Sequence, residues 1–130
     1  MVEIVIISHS LKAAEGIRDI AKEMAIPGQV IEAVGGDKGK LGIDLDMVEE
    51  TIEGLEKKDG VVIFVDLNSA IICAEMIKLK DNINNAKIFI ADAPILEGTI
   101  VATVEASLGS SVEKVLKVAE QVKYLSKKNM

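Results

Sequence analysis

Ile4-Val5-Ile6-Ile7-Ser8-His9-Ser10 is the stretch on which the fold turns. Four branched apolar residues in succession mark a strand covered on both faces, the pattern of a parallel sheet. Helical spacing begins directly afterwards, so His9 falls where the strand stops and a crossover helix starts. In an open α/β sheet that edge, at the carboxyl ends of the strands, is where ligands bind. His9 is the one histidine in 130 residues.

Working outward, Ala14, Ile17, Ala21 and Met24 share one helical face before Pro27-Gly28 breaks the chain. Val30-Ile31-Glu32-Ala33-Val34 reads as a second strand, at the sheet edge because charge flanks it. A glycine-rich loop, Gly35-Gly36-Asp37-Lys38-Gly39-Lys40-Leu41-Gly42, follows. Leu45, Val48, Ile52 and Leu55 mark the next helix, with Asp44, Asp46, Glu49 and Glu50 near its positive end and Lys57-Lys58-Asp59-Gly60 closing it. Val61 to Asp66 is a third, fully apolar and therefore central strand. Ser69 is the expected cap of a helix from Ala70 to Lys80. Lys87 to Ala91 makes a fourth strand and Ala93-Pro94 a turn. Helical period then runs from Glu97 to Leu108 and from Ser110 to Lys127, with Ser110 or Ser111 as a cap. The final Lys-Lys-Asn-Met reads as a frayed end.

Strands alternating with helices imply right-handed crossovers and an open parallel sheet with helices on both faces, in one domain spanning residues 1–130. Two wholly apolar strands and one more polar one give the expected order 2-1-3-4, whose switch point lies between strands 1 and 3. One of those strands ends in His9 and the other in Asp66.

Composition narrows the partners. The net charge of −6 argues against nucleic acid and anionic membrane surfaces, and suits a basic protein. A single cysteine, Cys73 in an apolar helical run, excludes an internal disulfide and fits a reducing, cytoplasmic setting. The N-terminal apolar run is too short for a membrane span and has no basic leader. One histidine and one cysteine cannot supply the usual four ligands of structural zinc.

An imidazole beside a carboxylate keeps one ring nitrogen protonated and leaves the other free as base, nucleophile or ligand. Alternatively, Asp66 caps a turn and His9 is merely solvated. A Ser-His-Asp hydrolase is disfavoured: Ser8 and Ser10 point away from His9 along an extended segment, and Ser69, which could approach, has no G-x-S-x-G elbow. A receiver domain would need an acidic pair where Ser8-His9 stands. The glycine loop matches neither a P-loop nor a dinucleotide fingerprint, since Gly39-Lys40 precedes Leu41. A nucleophilic histidine remains. The Leu67-Asn68-Ser69-Ala70 helix start offers N–H donors for phosphoryl oxygens, and Gly35-Gly36 can bring backbone in closely.

Ile7-Ser8-His9-Ser10 with Glu15-Gly16, Gly35-Gly36 with Leu41-Gly42, Val65 to Ala70 with Ala74-Glu75, and Ala93 to Gly98 with Ala102 to Ser107 together resemble the DhaM family. That family supplies the phosphotransferase subunit of phosphoenolpyruvate-dependent dihydroxyacetone kinase, with a domain similar to mannose-family enzyme IIA. The resemblance implies a cytoplasmic homodimer whose histidine takes phosphate from phospho-HPr and passes it to ADP held by the DhaL subunit, while DhaK binds dihydroxyacetone. It implies His9 as the phosphorylated nucleophile, Asp66 as the residue orienting it, and Gly35, Gly36, Asn68 and Ser69 on the phosphate or partner side. No cofactor, metal or bound nucleotide belongs to such a subunit. The family pattern commonly has Leu-Gly-Thr and Asp-x-Gly-Ser where this chain has Leu41-Gly42-Ile43 and Asp66-Leu67-Asn68-Ser69. Two alternatives stand beside it: an enzyme IIA feeding a sugar permease, and a regulatory module that takes no phosphate. The apolar runs Ala70 to Ala74 and Thr99 to Ala102 fit either a subunit contact or deep burial.

Overall fold

The computed structural model describes residues 1–80 and 86–129. Its elements follow the alternation read from the sequence: β1 (Glu3–Ser8), α1 (Leu11–Lys22), β2 (Ile31–Gly35), α2 (Leu45–Glu53), β3 (Val61–Val65), α3 (Asn68–Lys78), β4 (Ile88–Ile90), α4 (Ile95–Ser107) and α5 (Val112–Gln121). Single 3-10 turns follow at Val122–Tyr124 and Lys127–Asn129. The strands are all parallel and lie in the order β2-β1-β3-β4, as expected.

Strand alternation divides the core in two. Ile4, Ile6, Val62 and Phe64 point to the face covered by α1, α4 and α5, against Ala14, Ala21, Ala102, Ala106, Val115 and Ala119. Val5, Ile7, Val61 and Ile63 point to the other face, against Val48 and Ile52 of α2 and Ala70, Ala74 and Ile77 of α3. Both central strands are therefore buried on both sides. On the first face the strands supply the bulk while α1 and α4 supply alanines, and on the second α2 adds Val48 and Ile52, so a core with almost no aromatics still closes. Phe64 is the exception, and α4 accommodates it with Gly98: a Cβ there would stand 3.1 Å from the ring and 2.9 Å from Ala93 Cβ.

Several boundaries differ from the sequence reading. Met24 lies beyond the end of α1 and is exposed, so it belongs to no helical face. Leu45 is also exposed, and Leu55 is buried but follows the C-cap Gly54 rather than extending α2. Lys57 takes a left-handed conformation (φ 62°), and its ammonium donates to the carbonyls of Ile52, Glu53 and Leu55. It thus satisfies the end of a helix that stopped four residues earlier. The helix α3 ends at Lys78, two residues before Lys80. α5 starts after Ser111, which caps it through Lys114 N, and stops at Gln121 rather than Lys127. Lys127–Asn129 hold a turn, with Lys127 paired to Glu97 at 3.1 Å, where fraying was expected; Met130 lies outside the described residues.

The two apolar runs resolve differently. In α4, Thr99, Ala102 and Thr103 are fully buried. In α3, Ala70, Ala74 and Ile77 are buried, while Ile72 and Met76, and Leu79 just after the helix, remain exposed.

Glu3 is buried at the opposite end of the sheet from His9, where it accepts the N–H groups of Glu56 (3.1 Å) and Lys57 (2.7 Å). Glu3→Ala would take the acceptor from both partly buried N–H groups, which water only partly replaces, at about 1–2 kcal/mol each. We expect urea unfolding at pH 7 to report a loss of about 2–4 kcal/mol, with Glu3→Gln recovering part of it.

Candidate functional site

The parallel register sets Ile7 beside Val65, so the next residues, Ser8-His9 and Asp66, emerge together at the carboxyl edge. Asp66 then collects the loose polar groups of both strand ends. Its Oδ2 accepts the Ser8 hydroxyl and the His9 backbone N–H, both at 2.9 Å. Its Oδ1 accepts the Leu67 N–H at 2.8 Å and faces His9 Nδ1 at 3.0 Å. Burial is the largest single influence on Asp66 and pushes its carboxyl up. The hydrogen bonds from His9 backbone, His9 ring and Ser8 together outweigh it, holding the carboxyl below its ordinary value. An ionised carboxylate only accepts, so Nδ1 carries a proton, and in the neutral form of the ring Nε2 holds the lone pair.

Ser69 completes the arrangement. Its hydroxyl stands 2.6 Å from His9 Nε2 and donates to it. The helix begins two residues earlier than the cap assignment required: Leu67 is the N-cap, without a side-chain cap bond, and Asn68 and Ser69 belong to the first turn. Both rings of contact leave the pair accessible, with side-chain exposures of 27% for His9 and 22% for Asp66.

The other expected residues are arranged differently. Gly35 and Gly36 pass under the backbone of Ser8 and Leu11, and the loop they open is tied to the site by Gly42 N donating to His9 O at 2.9 Å. No hydrogen bond joins either glycine, or Asn68, to the imidazole among the described residues. A Cβ on Gly35 would lie 2.1 Å from the Ser8 carbonyl oxygen. Gly35→Ala must therefore displace the end of β1, and we expect about 2–3 kcal/mol of lost stability by thermal melting, together with broadened NMR signals at His9. Ile43, where the resembled pattern has threonine, is partly buried against the α2–α3 side of the core.

Among the described residues neither Ser8 nor Ser10 bonds to the ring, yet neither is idle. Ser8 braces Asp66 and accepts from Ser10 N at 3.1 Å, while Ser10 caps α1 through Ala13 N at 3.2 Å. The capping role was legible as a serine before an apolar period. The brace was not, because it depends on strand register.

Asn68 lines a cleft of about 340 Å³ with Asp66, Leu67, Ile71, Glu75 and Asp92. This cleft lies over β3 and β4, one strand away from the switch point, and Asp66 is the member of the His9–Asp66 pair that lines it. No group of carboxylate, histidine and cysteine side chains among the described residues could hold a metal ion.

Residues 3–116 match the family described as PTS system fructose IIA component, EIIA-man. The phosphoryl donor subunit DhaM of PEP-dependent dihydroxyacetone kinase 2 from Listeria innocua is 34% identical over 118 residues, covering 89% of this chain and 94% of that one. The chain belongs to the DhaM family. Among its other DhaM relatives, the Escherichia coli phosphoryl donor subunit is 35% identical over 121 residues. This chain spans only 26% of the length of that protein and of the DhaM of Klebsiella michiganensis. A crystal structure of EF1359, a protein of unknown function, superposes with a TM-score of 0.80 at 25% identity, over 93% of this DhaM-family chain and 95% of that one. No helix among the described residues is long and apolar enough to cross a membrane.

Proposed function

We propose that this chain is a phosphohistidine carrier that accepts a phosphoryl group from phospho-HPr on His9 and passes it to ADP held by a DhaL subunit, with DhaK binding dihydroxyacetone. The observation that carries this reading is the 3.0 Å contact from Nδ1 to Asp66, which leaves Nε2 as the nucleophile. In the first step the donor's N–P bond breaks as Nε2 bonds to phosphorus. In the second, a β-phosphate oxygen of ADP bonds to phosphorus, the Nε2–P bond breaks and ATP forms. A loose phosphoryl transition state asks chiefly for alignment and charge stabilisation. Asp66 supplies alignment, and the Asn68 and Ser69 N–H groups at the positive end of α3 supply charge stabilisation. Gly35 and Gly36 keep the strand end and loop close enough to hold His9 in place. The reading includes a cytoplasmic homodimer.

The test combines phosphoenolpyruvate, the two general carrier proteins, this chain and one acceptor at a time. The expected result is an acid-labile, base-stable phosphate on His9 that leaves when ADP-loaded DhaL is added. Delivery to a sugar permease subunit alone would replace the acceptor. A chain that takes no phosphate from any donor would be a regulatory module instead.

A further inference from the structure

A hydrolase reading of the sequence wanted a serine at the imidazole, and the fold supplies one. Ser69 Oγ, His9 Nε2, His9 Nδ1 and Asp66 Oδ1 form a continuous chain with contacts of 2.6 and 3.0 Å. We infer that the unphosphorylated chain has a second activity, hydrolysis of short uncharged acyl esters with Ser69 as nucleophile.

Such a relay is defined by geometry and roles rather than by sequence motif. A strand-to-helix elbow normally projects the serine; here the first turn of α3 does so, and Ser69 is exposed. The oxyanion needs two N–H donors. Leu67 N is committed to Asp66 and Ala70 N to the Leu67 carbonyl, whereas Asn68 N and Ser69 N occupy helix positions that have no intrahelical partner. Beside them, the cleft offers Leu67, Ile71, Ile90 and Ala93 to a small acyl group. Glu75 and Asp92 on its walls disfavour anionic substrates.

In the first half-reaction Ser69 Oγ bonds to the acyl carbon while its proton moves to Nε2. The ester C–O bond then breaks, and the departing alcohol takes that proton. Water repeats the sequence on the acyl-serine, releasing the carboxylic acid and restoring Ser69. Asp66 steadies the imidazolium at Nδ1 in both halves. One further consequence rests on the phosphohistidine reading: phosphorus on Nε2 removes the lone pair that receives the serine proton, so the two activities exclude each other.

The test uses the unphosphorylated full chain with p-nitrophenyl acetate, and a fluorophosphonate whose adduct is mapped by mass spectrometry. The expected results are an adduct on Ser69, a burst of p-nitrophenol, and a steady rate that falls about 100-fold in Ser69→Ala. Acetyl found on His9 alone, an undiminished rate in Ser69→Ala, or an unmodified Ser69 would overturn the proposal. Should Ser69→Ala melt early, the adduct on the wild-type chain decides. Offering the same preparation phospho-HPr and phosphoramidate separates the two readings: ester hydrolysis without phosphate on His9 from either donor removes the carrier function and leaves this activity standing.

Discussion

His9→Ala should take up no acid-labile phosphate from a phosphorylated carrier protein, against the near-stoichiometric labelling expected of the unaltered chain. The loss is complete because no second imidazole exists and phosphoryl transfer to nitrogen needs that lone pair. The fold should hardly notice. Asp66 keeps the Ser8 hydroxyl, the His9 backbone N–H and the Leu67 N–H, none of which depends on the ring. A partly exposed side chain at a strand end contributes little packing, so the melting temperature should move by only a few degrees. Label that persists and resists acid would point to a hydroxyl such as Ser69 and would end the histidine reading.

Asp66→Asn should slow phosphate uptake by about 10²–10⁴ while leaving the fold in place, the scale on which a mis-set tautomer lowers catalysis by imidazole. The carboxylate accepts four hydrogen bonds from two strand ends and one ring. An amide offers one oxygen, so two of those donors must face an NH2 group or turn away. Nδ1 then has reason to lose its proton to Nε2, which takes the lone pair away from the nitrogen that must attack phosphorus. The same substitution has a pH signature. Because the folded carboxyl titrates below its ordinary value of 3.8, its contribution to stability is present above that value and is lost as pH falls through the folded one. Urea unfolding at pH 7 should separate the two proteins by about 1–2 kcal/mol, and the gap should close once the pH is taken below the folded value. Equal uptake by both proteins would mean that the ring is oriented by something other than Asp66.

The sheet was legible because its strands differ so plainly. Ile4 to Ile7 and Val61 to Val65 carry no polar side chain, whereas Glu32 interrupts β2, and that contrast marks β2 as an edge; the equally apolar but short β4, Ile88–Ile90, is placed at the other edge by the order of the crossovers. His9 and Asp66 were legible for the same reason: each ends a central strand. Ser69 was placed correctly near the site but given the wrong task. Cap preferences are local, and the Asp66 carboxylate, a partner of β1, already holds Leu67 N, so α3 starts two residues early and frees the hydroxyl. Glu3 was invisible as a buried anchor because a charged residue opening a strand ordinarily faces water; its two partners lie more than 50 residues away. The apolar runs of α3 and α4 read alike, yet burial depends on neighbours. α4 is covered by α1 and α5, while α3 leans on the sheet and α2 with its outer side bare.

One carboxylate grips both the peptide and the ring of His9, so the imidazole cannot swivel from one visitor to another. Whatever loads Nε2 and whatever unloads it must arrive from the same quarter and wait for the place to be vacated. A surplus of either should jam the cycle, which would surface as parallel lines in double-reciprocal plots and as inhibition when one protein is in excess.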